Sequence, residues 1–225
     1  MNINTTTITI TFGDQADNNI GMQKYEKCKH VSAGLSIEDL KIAENKFKQS
    51  GCECNYVDLA QMLPGEIKIH DKIYDIPNAA ILIIRNGINK ILEEKENGVN
   101  KYTHEDLFNE HIALDYDKKA HMYGRIVNKT ARWNLSFDDE DREPDYENKM
   151  GRIVAYKNVA LTSKIRDELP NWFGDKAIGL VAEANLYYDV VSPHKGGDRG
   201  KSYIGYHGDT ERNITIGISF LYKNV

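Results

Sequence analysis

Two side chains near the end of the sequence, His207 and Asp209, have the types and the spacing of metal ligands. Residues two apart in an extended chain project from the same face, so this imidazole and this carboxylate are expected side by side. Such a pair supplies two members of a 2-His-1-carboxylate triad, which holds Fe(II) and leaves positions open for a co-substrate and O₂. Gly208 between them leaves room beside the metal. A surface His and Asp at a strand end is the alternative that these two residues alone leave open.

The order of motifs around this pair resembles that of the AlkB-like Fe(II)/2-oxoglutarate oxygenases. In that family an N-x-Y strand, which contacts 2-oxoglutarate, precedes the H-x-D strand, and Asn185 and Tyr187 match it here. An acidic residue often follows two places after the Asp, as Glu211 does in this sequence. The resemblance implies Fe(II) and 2-oxoglutarate as cofactors, His207 and Asp209 as metal ligands, and the N-x-Y pair as cofactor-binding residues.

Within that family the chain is similar to a group from large DNA viruses, and the similarity covers most of its length. It is carried by the segments T-F-G-D (11–14), I-I-R-N-G (83–87), M-Y-G-R (122–125), E-P-D-Y-E-N (143–148) and G-Y-H-G-D (205–209). The implied reaction is oxidative hydroxylation or demethylation, with alkylated nucleic acid and protein both open as substrates. The candidates for the substrate side are Arg132, Glu211 and Arg212.

The sequence departs from the family pattern after Arg212. The family supplies a second iron-binding His, and an Arg for the 2-oxoglutarate carboxylate, from strands beyond the H-x-D, but neither type follows Arg212 here. A bidentate Arg is the natural partner of a carboxylate, and Lys223 is a poor substitute. We therefore expect an oxygenase completed by a further C-terminal segment or a partner chain, or a catalytically inactive viral binding or structural module. His194 is a weaker alternative ligand, since an exposed loop His is the simpler interpretation.

The elements that must position these residues form two predicted units. Residues 1–97 are predicted as a small α/β domain, joined to the rest by the polar linker Lys95–Lys101. Its predicted elements are a strand at Thr6–Phe12, a helix from the Ser36 capping signal to Gly51, a strand at Asn55–Leu59, a central strand buried on both faces at Ala79–Ile84, and a helix at Gly87–Glu94.

Residues 98–225 are predicted as a partial double-stranded β-helix, the jelly-roll barrel of the resembled family, so that the fold class is α+β. Its predicted elements are a helix near Glu105–His111, a strand at Arg132–Phe137, a solvated acidic loop at Asp138–Asp145, a helix at Leu161–Leu169 that ends before Pro170, and several strands from Gly179 onward. Asn185–Val190 and Tyr203–Asp209 are expected to pair as neighbouring antiparallel strands of one hairpin.

The composition narrows the classes of function. The chain has 225 residues, 40% of them hydrophobic, and a net charge of −5. General polyanion binders are usually basic, so the charge argues against a large nucleic-acid surface but leaves a local basic patch open. The first residues lack the apolar run of a signal peptide or a membrane span, and an odd number of cysteines without such a signal favours a reduced, intracellular setting. For a viral protein this means the host cytoplasm or a viral factory.

Two other sets of side chains have chemistry of their own. Three thiols and one imidazole offer the ligands of structural Zn²⁺, namely Cys28, His30, Cys52 and Cys54. Their one-residue spacing is not that of common zinc modules, so unrelated reduced cysteines are favoured. Two aromatic pairs have faces on which bases stack, and packing in the core is the favoured interpretation for both, Trp172–Phe173 and Tyr187–Tyr188.

Overall fold

The computed structural model describes residues 5–15, 33–62, 66–75, 78–130, 132–187, 189–191, 199–201 and 212–223. The α-helices there are α1 (Ile37–Gln49), α2 (Gly87–Ile91), α3 (His104–Ile112) and α4 (Ala160–Phe173). The strands, in chain order, are β1 (Thr5–Gly13), β2 (Cys54–Asp58), β3 (Glu66–Ile69), β4 (Lys72–Asp75), β5 (Ala80–Ile84), β6 (Lys95–Glu96), β7 (Val99–Asn100), β8 (Lys119–Met122), β9 (Arg125–Asn128), β10 (Trp133–Asp138), β11 (Ile153–Ala155), β12 (Val181–Tyr187), β13 (Asp189–Val191), β14 (Arg199–Lys201) and β15 (Thr215–Lys223). The fold class is α+β, as predicted.

A five-stranded sheet in the order β11-β10-β12-β1-β15 is the largest sheet in these residues. Its neighbours run antiparallel, except for β10 and β11, which are parallel. The other strands pair in twos: β13 with β14, β2 with β5, β3 with β4, β6 with β7, and β8 with β9. The mixed fold with a sheet at its core is thereby established, and the jelly-roll topology stays a prediction.

The alternating sequence of β1 gives the main sheet two different faces. Ile8, Ile10 and Phe12 are fully buried on one face, and the intervening threonines lie on the other. Helices α1 and α4 cover the apolar face, with Phe47 and Ile165 in the same hydrophobic core. Burial of one such side chain contributes roughly 1.5–3 kcal/mol, so this face is fixed toward the helices and the polar face is turned away.

Helix α1 begins where the capping signal predicts. Ser36 Oγ accepts a hydrogen bond from Asp39 N at 3.2 Å, and Asp39 Oδ2 accepts one from Ser36 N at 2.7 Å. Asp39 therefore closes the capping box in place of the usual Glu or Gln. Lys176 Nζ donates to the same carboxylate oxygen at 2.6 Å and ties the helix start to the residues after α4. At the other end Gly51 has a φ of 88°, which suits its predicted place as a stop.

The prediction that the helix at Leu161–Leu169 ends before Pro170 is wrong, because α4 continues through Pro170 to Phe173. Trp172 stacks on Phe47 with ring centroids 4.0 Å apart, and Phe173 packs against the same ring at 5.9 Å. Proline inside a helix costs about 3 kcal/mol, and the packing of two aromatic rings on α1 offsets that cost. The predicted placement of this aromatic pair in the core is confirmed.

Strand β5 also differs from its prediction. It pairs with β2 in a two-stranded sheet, and Ile81 is 47% exposed. Leu82 and Ile84 are partly buried against the core. The segment is a strand, but the prediction that it is central and buried on both faces is wrong. An unbroken apolar run carries no information about which of its faces will find a partner.

The predicted linker contains a hairpin formed by β6 and β7. Asn97 and Gly98 at its tip have φ values of 53° and 82°, the positive pair that a tight two-residue turn requires. Strand β1 lies before this hairpin, yet it pairs with β12 and β15, which lie after it. Residues on both sides share one hydrophobic core. The domain boundary between residues 97 and 98 stays a prediction.

Candidate functional site

Strand β12 presents the predicted cofactor residues on the polar face of the main sheet. Ala182, Ala184 and Leu186 belong to the hydrophobic core, so Glu183 and Asn185 project from the opposite face. Both polar side chains are nonetheless buried. A buried carboxylate and a buried amide require partners, because burying them without hydrogen bonds is costly. The polar face near β12 is therefore the first place to look for a site.

The strand register extends this face across the sheet. One row of opposed residues consists of Asn134, Asn185, Thr9 and Ser219, and a second consists of Ser136, Glu183, Thr11 and Gly217. Asn134 and Ser136 on β10 are buried, whereas Ser219 on β15 is exposed. Burial is thus deepest between β10 and β12, and the polar face opens toward β15. We call the polar side chains between β10 and β12 the sheet site.

Arg132 is brought directly onto the predicted cofactor residues. Its Nε donates to Asn185 Oδ1 at 2.7 Å, and Asn185 Nδ2 donates to Glu183 Oε1 at 3.4 Å. These two bonds fix which way the amide of Asn185 points. Among the residues that the structure describes, the Nη atoms of Arg132 make no hydrogen bond. The sequence offered Arg132 as a substrate-side residue, but the structure groups it with Asn185.

Tyr187 completes this group at the end of β12. Burial raises the pKa of its phenol, while nearby Arg132 and a hydrogen bond with Thr9 partly oppose that shift. The phenol is therefore uncharged at neutral pH and is able both to donate and to accept a hydrogen bond. Asn185, Tyr187 and Arg132 together present an amide, a phenol and a guanidinium on one face.

A buried ion pair lies beside this group. Arg212 Nη2 lies 3.7 Å from Glu183 Oε2, and their side chains are only 6% and 4% exposed. Arg212, predicted on the substrate side, therefore lines the sheet site. Glu183 was missed by the sequence interpretation, although it belongs to the same A-E-A-N-L-Y alternation as Asn185. The period of two was the available signal.

Lys129 is a second cation that the sequence interpretation missed. Its Nζ donates to Asn134 Oδ1. Burial lowers the pKa of Lys129 to about 8, although Asp117 and Glu183 act to raise it. Asp117 is itself buried and accepts hydrogen bonds from Tyr146 Oη and Arg152 N, each at 2.7 Å. The N-K-T-A-R-W sequence, with two cations three residues apart just before a strand, was the signal available for this residue.

Asp14 anchors the chain just beyond the H-x-D segment. Its Oδ1 accepts hydrogen bonds from Asn213 N at 2.9 Å and Ile214 N at 2.8 Å, and its Oδ2 accepts one from Asn213 Nδ2 at 3.2 Å. A Cβ on Gly13 would lie 2.8 Å from Ile214 O, so only glycine fits beside this contact. The T-F-G-D segment therefore fixes where Asn213 and Ile214 enter β15. We call these contacts the Asp14 anchor.

His111 is the most buried histidine in the described chain, and it faces the apolar side of the sheet. Its ring packs edge-on to Phe137, and its nitrogens lie 2.8 Å from Thr162 Oγ1 and 3.3 Å from Tyr116 Oη. Burial lowers the pKa of His111 to about 3, so the imidazole is neutral. Both ring nitrogens are already engaged, and the polar face is on the other side of the sheet. His111 therefore belongs to the hydrophobic core and is not placed to bind a ligand on the polar face.

Several predicted site residues lie outside the described residues: His207, Asp209, Glu211, His194, Cys28, His30 and Tyr188. Part of the predicted hairpin is described, where β13 pairs antiparallel with β14. The predicted pairing with Tyr203–Asp209 is wrong for Asn185 and Leu186, because both edges of β12 are occupied there by β1 and β10. Within the described ranges no group of three or more His, Cys, Asp and Glu side chains is arranged to hold a metal ion. Cys52 and Cys54 are half-buried free thiols, and burial raises the pKa of Cys54, which disfavours the thiolate that zinc requires.

The fold and the sheet site describe an α+β protein with a buried, charged face on its main sheet. Over 214 residues the chain is 36% identical to "Uncharacterized protein R156" of Acanthamoeba polyphaga mimivirus. The aligned region covers 94% of this chain and 73% of that protein. The chain belongs to the family of that viral protein. No protein-family model matches the sequence, and no solved structure matches it. None of the helices in the described ranges is long and apolar enough to cross a membrane.

Proposed function

We propose that the protein is an Fe(II)/2-oxoglutarate-dependent oxygenase of the AlkB-like type. The observation that carries the proposal is the convergence of Asn185, Tyr187 and Arg132 on the polar face of the main sheet. The amide and the phenol are the residues that the resemblance assigns to 2-oxoglutarate. In a double-stranded β-helix this face would line the barrel interior, and α1 and α4 would lie outside it. Bound Fe(II) and 2-oxoglutarate would supply the activation of O₂ for oxidising a substrate C–H bond.

The described side chains fit a dicarboxylate such as 2-oxoglutarate. Arg132 has its Nη edge available among the described residues, and a guanidinium edge matches a carboxylate in a bidentate manner. Lys129 adds a second cation next to Asn134. Tyr187 would donate its phenolic proton to a carboxylate oxygen. Arg132 and Lys129 would thus hold a carboxylate of 2-oxoglutarate.

The predicted iron ligands adjoin the sheet site along the chain. Arg212 contacts Glu183 within the site, and Asp209 precedes Arg212 by three residues. An extended chain of three residues covers at most about 11 Å. The Asp14 anchor holds Asn213 and Ile214 just beyond this point. The assignment of His207 and Asp209 as ligands stays part of the proposal.

The proposal is tested by measuring 2-oxoglutarate binding and succinate formation with Fe(II) under O₂. Arg132→Gln should weaken 2-oxoglutarate binding by roughly tenfold to a hundredfold, because a hydrogen bond to a charged group contributes about 1.5–3 kcal/mol. The matched control is Arg152→Gln, since the side chain of Arg152 pairs with Glu143 and Asp115 and not with Asn185 or Tyr187. Equal losses in the two variants, or a wild-type chain that binds no 2-oxoglutarate in the presence of metal, would contradict the proposal.

The second candidate is a catalytically inactive viral binding or structural module. It is favoured because polar groups of the sheet site bind one another: Glu183 pairs with Arg212, and Asn185 accepts a hydrogen bond from Arg132. Such a network also serves a purely structural role. Binding of 2-oxoglutarate without succinate formation, even with a partner chain or a C-terminal extension present, would favour this candidate.

A further inference from the structure

A cavity of about 290 Å³ lies on the apolar side of the main sheet, across the sheet from the sheet site. Its floor consists of core side chains that are at most 9% exposed: Phe47, Ile91, Leu169, Phe173, Ile216 and Phe220. Its rim is polar, with Asn86 and His104 exposed and Asn89 half-buried. An apolar floor with a few polar groups at its edge is the usual design of a small-molecule site. We call this cavity the helix pocket.

One wall of the helix pocket is formed by the I-I-R-N-G segment (83–87), which the proposed oxidation does not use. Ile84, Asn86 and Gly87 all line the cavity. A Cβ on Gly87 would lie 2.8 Å from Ile84 Cγ2, so only glycine lets α2 begin this close to β5. Asn86 has a φ of 57°, and its side chain does not cap α2. Its amide makes no hydrogen bond to the part of the chain that the structure describes, and it is therefore available at the rim.

The rim also presents a hydrogen-bond acceptor of defined orientation. Asn89 Oδ1 accepts a hydrogen bond from His104 N at 3.0 Å, which fixes the amide because a backbone N–H requires the oxygen. The same oxygen lies 3.2 Å from His104 Nδ1, so that nitrogen carries a proton and donates it. In the neutral imidazole Nε2 is then an acceptor. Within the described ranges Nε2 makes no hydrogen bond.

The chemistry of the helix pocket favours a neutral ligand with a hydroxyl group. None of the described residues that line it is Lys, Arg, Asp or Glu, so a charged group inside would lack an ion-pair partner. A hydroxyl donates to His104 Nε2 and accepts from the side-chain amide of Asn86 or Asn89. Because a cavity of about 150 Å³ holds one benzene ring, a cavity of about 290 Å³ suits roughly ten to twelve carbon atoms.

We propose that the helix pocket binds a small apolar alcohol, with its hydrocarbon part on the phenylalanine-rich floor and its hydroxyl on His104. Phe47, Phe173 and Phe220 supply aromatic surface for the hydrocarbon part. The Asn89 and His104 pair supplies the polar end, already oriented before a ligand arrives. The proposal does not depend on the oxygenase assignment, because the helix pocket and the sheet site lie on opposite faces of the main sheet.

The test is titration of the full chain with 2-naphthol, a fluorescent bicyclic alcohol of ten carbon atoms, and with naphthalene, which lacks the hydroxyl. His104→Phe should weaken the binding of 2-naphthol roughly twofold to tenfold, the effect of one hydrogen bond, and leave the binding of naphthalene unchanged. A residue with only a structural role would change the binding of both probes equally. The matched control is His121→Phe on β8, outside the helix pocket, which should change neither.

The place of binding is tested by methyl NMR of the chain with labelled isoleucines. The methyl signals of Ile84, Ile88 and Ile218, which line the helix pocket, should shift as 2-naphthol is added. The signals of Ile165 in the core and of Ile42 on the exposed side of α1 should not shift. Ile88→Trp should fill the cavity and abolish binding of both probes, whereas Ile42→Trp should not. The NMR result stands even where Ile88→Trp fails to fold.

Four outcomes would overturn the proposal. They are no saturable binding of 2-naphthol, equal losses of both probes in His104→Phe, shifts at Ile42 or Ile165 as large as those at the lining residues, and tighter binding of 2-naphthoate, which would indicate an acid as the ligand. A chain that self-associates and binds 2-naphthol only as a monomer would also contradict it, because a second copy would then cover the cavity. None of these outcomes involves succinate formation, so the oxygenase assignment is tested separately.

Discussion

At the scale of single residues, the sheet site combines cations that are individually costly to bury. Lys129 has a pKa of about 8, lowered from 10.5 by burial. The unfolded chain therefore binds more protons than the folded chain between these two pH values. The contribution of Lys129 to the free energy of unfolding is lowest below pH 8, where Lys129 is charged in both the folded and the unfolded chain. This contribution rises as the pH increases toward 10.5.

This gives a prediction for the pH dependence of unfolding. The free energy of unfolding of the wild type, relative to Lys129→Met, should rise by up to about 3 kcal/mol between pH 8 and 10.5. Urea denaturation of both proteins at several pH values measures the difference, in which the titration of tyrosines and cysteines cancels. A difference that stays constant over this range would mean that Lys129 is not buried as a charged group in the folded chain.

At the scale of elements, the Asp14 anchor joins the end of β1 to the start of β15. Asp14→Ala removes the acceptor for the buried N–H of Ile214 and for Asn213, so we expect a loss of about 3 kcal/mol in the free energy of unfolding. Thr103→Ala, which removes the exposed N-cap of α3, is the control and should cost about 1 kcal/mol. Chemical denaturation ranks the two variants. Equal effects would show that the anchor contributes no more than an ordinary helix cap.

At the scale of the whole molecule, the two predicted units contribute strands to the same main sheet and side chains to the same hydrophobic core. We expect trypsin to cut at the exposed Lys95 or Lys101 beside the β6–β7 hairpin, as expected for an exposed loop tip. The fragments should nevertheless stay together in gel filtration, because β1 from the first fragment pairs with β12 and β15 of the second. Separation into two folded fragments would instead support the boundary between residues 97 and 98.

The local sequence could predict those elements of the fold that depend on interactions between residues close together in the chain. The alternation of Thr6–Phe12 predicts β1, and the Ser36 cap predicts the start of α1, because both depend on neighbours within a few residues. The continuation of α4 through Pro170 could not be predicted in this way. It depends on Phe47, which is more than a hundred residues earlier in the chain.

The candidate site likewise combines a feature that the local sequence predicts with contacts that it does not predict. The sequence by itself determined that Asn185 and Tyr187 share a face of one strand, because successive side chains of a strand alternate. Only the tertiary structure decided that Arg132 bonds Asn185, that Arg212 pairs with Glu183, and that Asp14 holds Ile214. These contacts join residues far apart in the chain, and strand pairing selects them through the burial of a whole apolar face rather than through any local pattern.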